Sequence, residues 1–226
     1  MIPARGGSKR LPGKNLRLLG GRPLVAWSIA TGLQLDAVAD VLVSTDDETI
    51  AEVARALGAL VPWLRPSELS TDEATTTDVA LHALDWYEQA RGPVDGLLLL
   101  QPTTPFRRLA SMHRGMDLFA VHDRRAVVGV CQAGAHPLWC FTVAEGRLRP
   151  FVHGGGLDLR SQDLPEALVV NGAFYLVQPD QLRRTGSFFG EAPTPLRMDG
   201  PEESIDIDTP LDLMVAQTVL TALELT

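Results

Sequence analysis

With 226 residues, 45% hydrophobic and 21% charged content, the chain suits one sizeable globular domain. Its net charge of −8 and pI near 5.1 argue against a general nucleic-acid binder, which presents a broad basic face. No apolar run approaches membrane-spanning length, no signal peptide is expected, and two cysteines make no disulfide framework, so a cytoplasmic, reducing setting without membrane partners is the expectation.

The first stretch, residues 2–15, is glycine-rich and basic. Arg5, Lys9, Arg10, Lys14, Arg17 and Arg22 all precede the first acid, Asp36, so this end is strongly positive while the remainder is strongly negative. Lys9 and Lys14 are the only lysines in the chain. A lysine is a compact point charge suited to phosphate, and Gly6, Gly7 and Gly13 let backbone N–H groups approach an anion. The pattern predicts a polyphosphate cradle; the alternative is a solvated basic turn. It is neither a P-loop, since five residues separate Gly7 from Gly13 and Asn15 follows Lys14, nor a dinucleotide-binding glycine fingerprint.

Beyond it, Pro23 suits the first turn of a helix carrying Leu24, Trp27 and Ile29 to Leu33. Val41 to Val43 reads as a short buried strand, followed by a helix through Ile50, Val53, Ala54 and Leu57 with Gly58 as its C-cap, then a strand at Leu60-Val61. The hydroxyl-rich segment 65–78 leads into a helix with Val79, Leu81, Leu84 and Tyr87; its hydroxyls read as caps or as ligands of a base or ribose. Gly96 to Leu100 has the continuous apolar character of a strand covered on both faces. Its polar end, Gln101 to Thr104, falls where open α/β sheets bind ligands. A helix over 109–121 and a strand over 126–130 follow.

The pattern then turns antiparallel. Trp139 to Val143, Glu145-Gly146 and Leu148 to Phe151 predict a hairpin, Gly154 to Gly156 a flexible loop, and Val169 to Val177 a strand. The region 136–176 reads as a β arm that covers the site or pairs with another subunit. Cys131, His136 and Cys140 read as thiols beside strands rather than zinc ligands. In Ser204 to Asp212, an extended backbone puts Asp206 and Asp208 on one side with Ile205 and Ile207 behind. Thr209 and Pro210 open a last helix with Leu211, Val215, Thr218, Val219 and Ala222 on its packed face. Paired carboxylates suit a divalent cation, with a solvated acidic strand end as the alternative. Basic loop and paired aspartates together imply Mg²⁺ and a nucleoside triphosphate.

Seven stretches carry a family resemblance: IPARGGSKRLPGKN at 2–15, STDDETIAEVA at 44–54, LRPSELSTDEATT at 64–76, QPTTPFR at 101–107, QDLPE at 162–166, NGAFYL at 171–176 and SIDIDTPLDL at 204–213. In order and spacing they resemble the N-acylneuraminate cytidylyltransferases, the CMP-sialic acid synthetases and their relatives. The resemblance implies a single α/β domain over 1–226, a Rossmann-like nucleotidyltransferase with a mostly parallel central sheet and a small antiparallel excursion at 136–176, working as a homodimer. It implies transfer of CMP from CTP to an acidic acceptor of the nonulosonic (sialic-acid-like) class, with release of pyrophosphate and Mg²⁺ as cofactor. Arg5, Gly6, Gly7, Ser8, Lys9, Lys14 and Asn15 would surround CTP, with Arg65, Ala74 and Thr76 at cytosine or ribose. Arg5, Lys14, Asp206 and Asp208 would be catalytic, the two aspartates holding the metal. Gln101 and Asn171 would meet the acceptor, and Phe188 and Phe189 would reach the sugar site of a neighbouring subunit. No residue is assigned as general base. The sequence departs from the sialic-acid pattern where Trp139, Ser161 and Val169 replace three cations. A small phosphonate acceptor, or a nucleotide-binding module without catalysis, are the alternative readings.

Overall fold

In the computed structural model, which describes residues 1–153 and 158–223, most of the short apolar runs become strands of one sheet, and two further strand pairs form small ladders of their own. In chain order the strands are β1 (Ile2–Pro3), β2 (Leu18–Leu19), β3 (Arg22–Pro23), β4 (Val43–Ser44), β5 (Leu97–Leu99), β6 (Val127–Gln132), β7 (Phe141–Ala144), β8 (Arg147–Pro150), β9 (Leu168–Val177) and β10 (Thr194–Arg197). The helices are α1 (Leu24–Leu33), α2 (Glu48–Ala56), α3 (Thr76–Arg91), α4 (Leu109–Val121), α5 (Pro179–Thr185) and α6 (Pro210–Ala222).

β1 pairs in parallel with β4, and β10, β6, β9 and β5 lie side by side. The two groups join because Met1 N donates to Leu98 O at 2.7 Å and Leu100 N to Met1 O at 3.1 Å. The order is therefore β4-β1-β5-β9-β6-β10, parallel throughout except for β9, which runs antiparallel to both neighbours. The expected mostly parallel sheet is present.

Three expectations change. The region 136–176 is not one excursion: β7 and β8 form a separate exposed hairpin, whereas the carboxyl half of β9 is a central strand with Ala173 and Phe174 fully buried. Leu60 makes only an isolated parallel bridge to Leu42. On α6 the packed residues are Leu213, Ala216, Val219 and Leu220, while Leu211, Met214 and Val215 are exposed. Ile207, buried just before the helix against Leu19 and Leu24, sets its rotational phase, so Leu211 and Val215 turn outward. The glycine loop expected at 154–156 lies outside the described residues.

The main core brings Val25 and Ile29 of α1, Ile50 of α2 and Met112 of α4 onto the sheet. Seven of the ten α1 residues are buried, which explains its blurred helical pattern: a helix covered on several sides has no polar stripe. α3 starts in a capping box between Thr75 and Asp78, and α6 in one between Thr209 and Asp212. An apolar cavity of about 500 Å³, walled by Val41, Leu98, Phe119 and Leu176, sits at the amino ends of β1, β4 and β5. The polar segments gather at the other, carboxyl ends, where ligands of open α/β sheets bind. Among the described residues no helix is long and apolar enough to cross a membrane.

Candidate active site

The basic loop leaves the carboxyl end of β1 and doubles back. Asn15 is buried and its Nδ2 donates to Arg5 O at 2.9 Å, tying the loop's two ends together. Ser8 N bonds Gly6 O at 3.0 Å, Gly7 is exposed, and Leu11 is driven into the cluster that holds Ile207 and Leu220. Hydrophobic burial thus fixes the loop against the segment carrying the aspartates. Gly6 is required by close approach: its N–H donates to Asp46 Oδ1 at 2.9 Å, and a Cβ there would stand 2.9 Å from Asp47 Oδ2.

Two aspartates engage the loop cations. Arg5 Nη1 lies 3.0 Å from Asp72 Oδ1 and donates to Thr71 O at 3.2 Å, and Lys9 also pairs with Asp72. These pairs hold the exposed Asp72 carboxyl below the usual carboxylate range. Lys14 Nζ lies 2.8 Å from Asp208 Oδ1 and Arg10 Nη2 2.6 Å from Asp208 Oδ2. The Lys14–Asp208 bond spans 194 residues of sequence. It brings the basic loop and the paired aspartates into one site.

The aspartates are set by their backbone. Ile207 N donates to Thr103 O at 2.7 Å, and Asp208 N and Thr209 N donate to Asp212 Oδ2 at 3.0 and 2.7 Å. Asp206 is exposed as a residue, but its carboxyl is partly enclosed, and this desolvation is the main cause that pushes it up; the Thr103 side chain opposes the rise and the Asp208 charge adds to it. Upstream, the buried Glu203 accepts from Arg108 N at 3.0 Å and from the Ser111 hydroxyl at 3.1 Å, docking this segment on the start of α4. Among the described residues no three His, Cys, Asp or Glu side chains form a metal cage. Cys131 and Cys140 are free and partly exposed. His136 instead contacts Pro165 O at 2.9 Å.

Around the nucleotide side, Arg65 is buried. Its Nε donates to Ser44 Oγ at 3.0 Å and its Nη2 to Ser44 O, and burial lowers its pKa. It is electrostatically coupled to Asp46 and Arg5. Ala74 N bonds Thr71 Oγ1 at 3.2 Å and Thr76 is the first residue of α3. Of the hydroxyls in this loop, Thr75 is the cap; the segment as a whole leans on Arg5 and Lys9 through Thr71 and Asp72.

The residues expected at the acceptor are placed less uniformly. Gln101 lies partly buried at the end of β5, its Oε1 3.0 Å from where a Gly172 Cβ would stand. Asn171 is buried: Nδ2 contacts Met198 Sδ and Glu203 O at 3.3 Å each, and Oδ1 accepts from Ala173 N at 3.1 Å. Its amide is therefore engaged inside the fold. Phe188 is also a core residue, packed with Leu99, Val177 and Leu182, while Phe189 is 42% exposed. Tyr175 joins both rings at centroid distances of 6.1 Å and is coupled to the Asp206 charge.

The sequence marks Arg10 only as one of the basic-loop cations, and gives Tyr175, Thr103, Asp72 and Asp46 no role of their own. Arg10 and Asp72 lie inside the quoted motifs. Asp46, Thr103 and Tyr175 do too, but only the folded contacts separate them from their neighbours.

A family model described as Cytidylyltransferase matches residues 1–93. The chain is 37% identical to the CMP-N,N'-diacetyllegionaminic acid synthase of Legionella pneumophila, over 97% of this chain and 94% of that protein. It is 32% identical to an N-acylneuraminate cytidylyltransferase of Streptococcus agalactiae over 92% of its length, but spans only 50% of that relative. A solved structure of CMP:2-keto-3-deoxy-manno-octonic acid synthetase complexed with CTP superposes with a TM-score of 0.70 at 21% identity, covering 98% of this chain and 97% of that one, which supports the fold. With a relative of matching length above 30% identity, the chain belongs to the N-acylneuraminate cytidylyltransferase family.

Proposed function

We propose that this protein transfers CMP from CTP to a nonulosonic acid, releasing pyrophosphate. The observation that carries the reading is the Lys14–Asp208 contact at 2.8 Å, which sets a basic cradle against a carboxylate pair. The Legionella relative of matching length makes the legionaminate class the first acceptor to try.

Arg5, Lys9, Arg10 and Lys14 hold the triphosphate, assisted by N–H groups of the Gly6-Gly7-Ser8 turn. Each cation now bonds an aspartate: Arg5 and Lys9 bond Asp72, Arg10 and Lys14 bond Asp208. Phosphate oxygens take over these cations when CTP enters, and Asp208 is released. Arg65, Ala74 and Thr76 lie on the side of the base and ribose, and Gln101 and Tyr175 on the acceptor side.

The donor set fits Mg²⁺. Magnesium uses one or two carboxylates and completes its shell from substrate phosphates and water. Asp206 and Asp208 offer hard oxygens, and a cation would offset both the desolvation that raises the Asp206 carboxyl and the smaller repulsion from Asp208. Bound there, the ion would neutralise phosphate charge as the bond to the leaving pyrophosphate breaks. The acceptor hydroxyl gives up its proton to water as it forms the new bond to the α-phosphorus, the bond from that phosphorus to the bridging oxygen breaks, and the electron pair leaves with pyrophosphate. The protein contributes positioning and fixed charge rather than a nucleophile.

The positions that distinguish acceptors lie beside the β7-β8 hairpin, in the turn before β9 and on the amino half of β9. Trp139 is 40% and Val169 45% exposed, and Ser161 sits in an exposed turn. Without cations there, the acceptor carboxylate is bound by other donors, and acceptors other than N-acetylneuraminate are favoured. The same region leaves Phe141, Val143 and Leu148 of the hairpin, Phe151 just after it and Leu168 to Val170 of β9 exposed. Exposed apolar surface of this kind marks an interface, and a second copy of the chain is its occupant. Light scattering that returns a monomer at micromolar concentration would refute the dimer. The function is tested by incubating protein, CTP and Mg²⁺ with a panel of nonulosonic acids and following pyrophosphate. Turnover with legionaminate-class acids supports it; none with any acid, from protein that binds CTP, refutes it.

A further inference from the structure

We propose that Arg107 is a positioning residue for the acceptor side: it holds the turn that carries Gln101 and Thr103 and, through Thr103, fixes where Asp206 lies. The inference rests on the reading of Asp206 as a metal-holding carboxylate.

The Arg107 guanidinium is enclosed by oxygens from three parts of the fold. Nε donates to Ala173 O of β9 at 2.7 Å, and Nη1 to Ser28 Oγ of α1 at 3.0 Å. Nη2 donates to Gln101 O at 2.7 Å and Thr104 Oγ1 at 2.8 Å, both in the turn after β5. None of these partners is charged. The residue is half-buried with its guanidinium turned inward; enclosing a cation without a counterion is costly, and desolvation pulls the Arg107 pKa down to about 9, which leaves it protonated at neutral pH. A neutral side chain would avoid that cost, but only the planar fork of arginine offers five donors in fixed directions. The arrangement sacrifices stability to hold these segments in one geometry.

That geometry leads to the site. The turn is closed by Thr104 N donating to Gln101 O at 3.3 Å, and the Thr104 hydroxyl bonds Gly172 O at 3.1 Å. Between its ends, Thr103 O receives Ile207 N at 2.7 Å, so the turn holds the backbone next to Asp206. On the other side, Gly172 in the left-handed region (φ +77) lets β9 pass so close that a Cβ would stand 3.0 Å from Gln101 Oε1. A shift of the turn therefore moves Gln101 and Asp206 together, whereas Arg5 and Lys9 are held from the other side by Thr71 and Asp72.

The test compares wild type with Arg107→Lys, which keeps the charge and loses the fork, and Arg107→Gln. Mn²⁺ affinity in the presence of CTP is read by electron paramagnetic resonance, CTP affinity in metal-free buffer by calorimetry, and turnover by pyrophosphate release. Metal-free CTP affinity should stay within about threefold, while Mn²⁺ affinity and kcat fall about tenfold or more, the effect expected for a supporting partner of a metal ligand. A folded variant with unchanged Mn²⁺ affinity and kcat overturns the proposal. So does a variant that loses metal-free CTP affinity in equal proportion, since that is general loosening. If neither variant folds, Ser28→Ala and Thr104→Val each remove one hydroxyl from the ring, and unchanged Mn²⁺ affinity in both overturns it. A wild type that binds Mn²⁺ with CTP but releases no pyrophosphate refutes the proposed function, while the Mn²⁺ titrations still decide Arg107. A wild type that binds no Mn²⁺ overturns both.

Discussion

Replacing Lys14 by Met tests the cradle most sharply, because methionine keeps the apolar stem and removes only the charge. Lys14 is well covered, with its side chain 15% exposed, so the ammonium acts with little solvent screening. A hydrogen bond to a charged group contributes roughly 1.5–3 kcal/mol, and 1.36 kcal/mol is a factor of ten, so a lost phosphate contact corresponds to about 10- to 150-fold. The structure moves the expectation to the low end. In the free protein Lys14 bonds Asp208 at 2.8 Å, and CTP must displace that bond before it gains its own. The net loss in kcat/KM for CTP is then about tenfold to thirtyfold. The Asp206 carboxyl should also rise further, since Lys14 is one of the charges holding it down. Calorimetric titration of CTP, with circular dichroism to establish folding, gives the answer. A folded Lys14→Met protein whose CTP affinity lies within twofold of wild type would refute the assignment of this loop to phosphate.

Three further predictions follow from the same contacts. Asp72 competes with phosphate for Arg5 and Lys9, so Asp72→Asn should tighten CTP binding about two- to fivefold at low salt and lose the gain in concentrated salt; a salt-independent effect contradicts it. The raised Asp206 carboxyl contributes stability to the metal-free fold that is fully present below the ordinary carboxylate pKa and lost as pH rises through the raised value, a window above the one in which the depressed Asp72, Asp78 and Asp212 carboxyls act. Across that window the thermal midpoint should fall with pH and Mg²⁺ affinity should rise. Asp208→Asn should narrow the window by removing a neighbouring charge, and an unaltered profile in the variant counts against the coupling. Gly172→Ala forces a side chain into left-handed backbone and against Gln101, and should cost about 1–2 kcal/mol or more in urea unfolding; an unchanged midpoint denies the close approach.

Much of this was legible in the chain, for physical reasons. The continuous apolar run before Gln101 and the caps at Thr75 and Thr209 are local signals, and α4 spans Leu109–Val121 as its periodicity predicts. Ile207 behind Asp206 and Asp208 follows from strand alternation and is fully buried. What was not legible depends on partners distant in sequence. The strand from 169 to 177 is visible locally, but its place between β5 and β6 is decided by pairing across the fold. Asn171 and Phe188 carry the residue types of an acceptor site, yet tertiary packing turns the amide toward Glu203 O and the ring into the core. Arg107 reads as one arginine of two in a row; only the ring of four oxygens around it distinguishes it from Arg108, which pairs with Glu202 at 2.5 Å.

The most direct measurement is the mass of the product. Protein, CTP and Mg²⁺ incubated with legionaminate-class and other nonulosonic acids should yield a CMP conjugate of one of them, with pyrophosphate in equal amount. Asp206→Asn and Asp208→Asn should abolish both. Intact CTP after prolonged incubation with every acid, from protein that binds the nucleotide, would contradict the account.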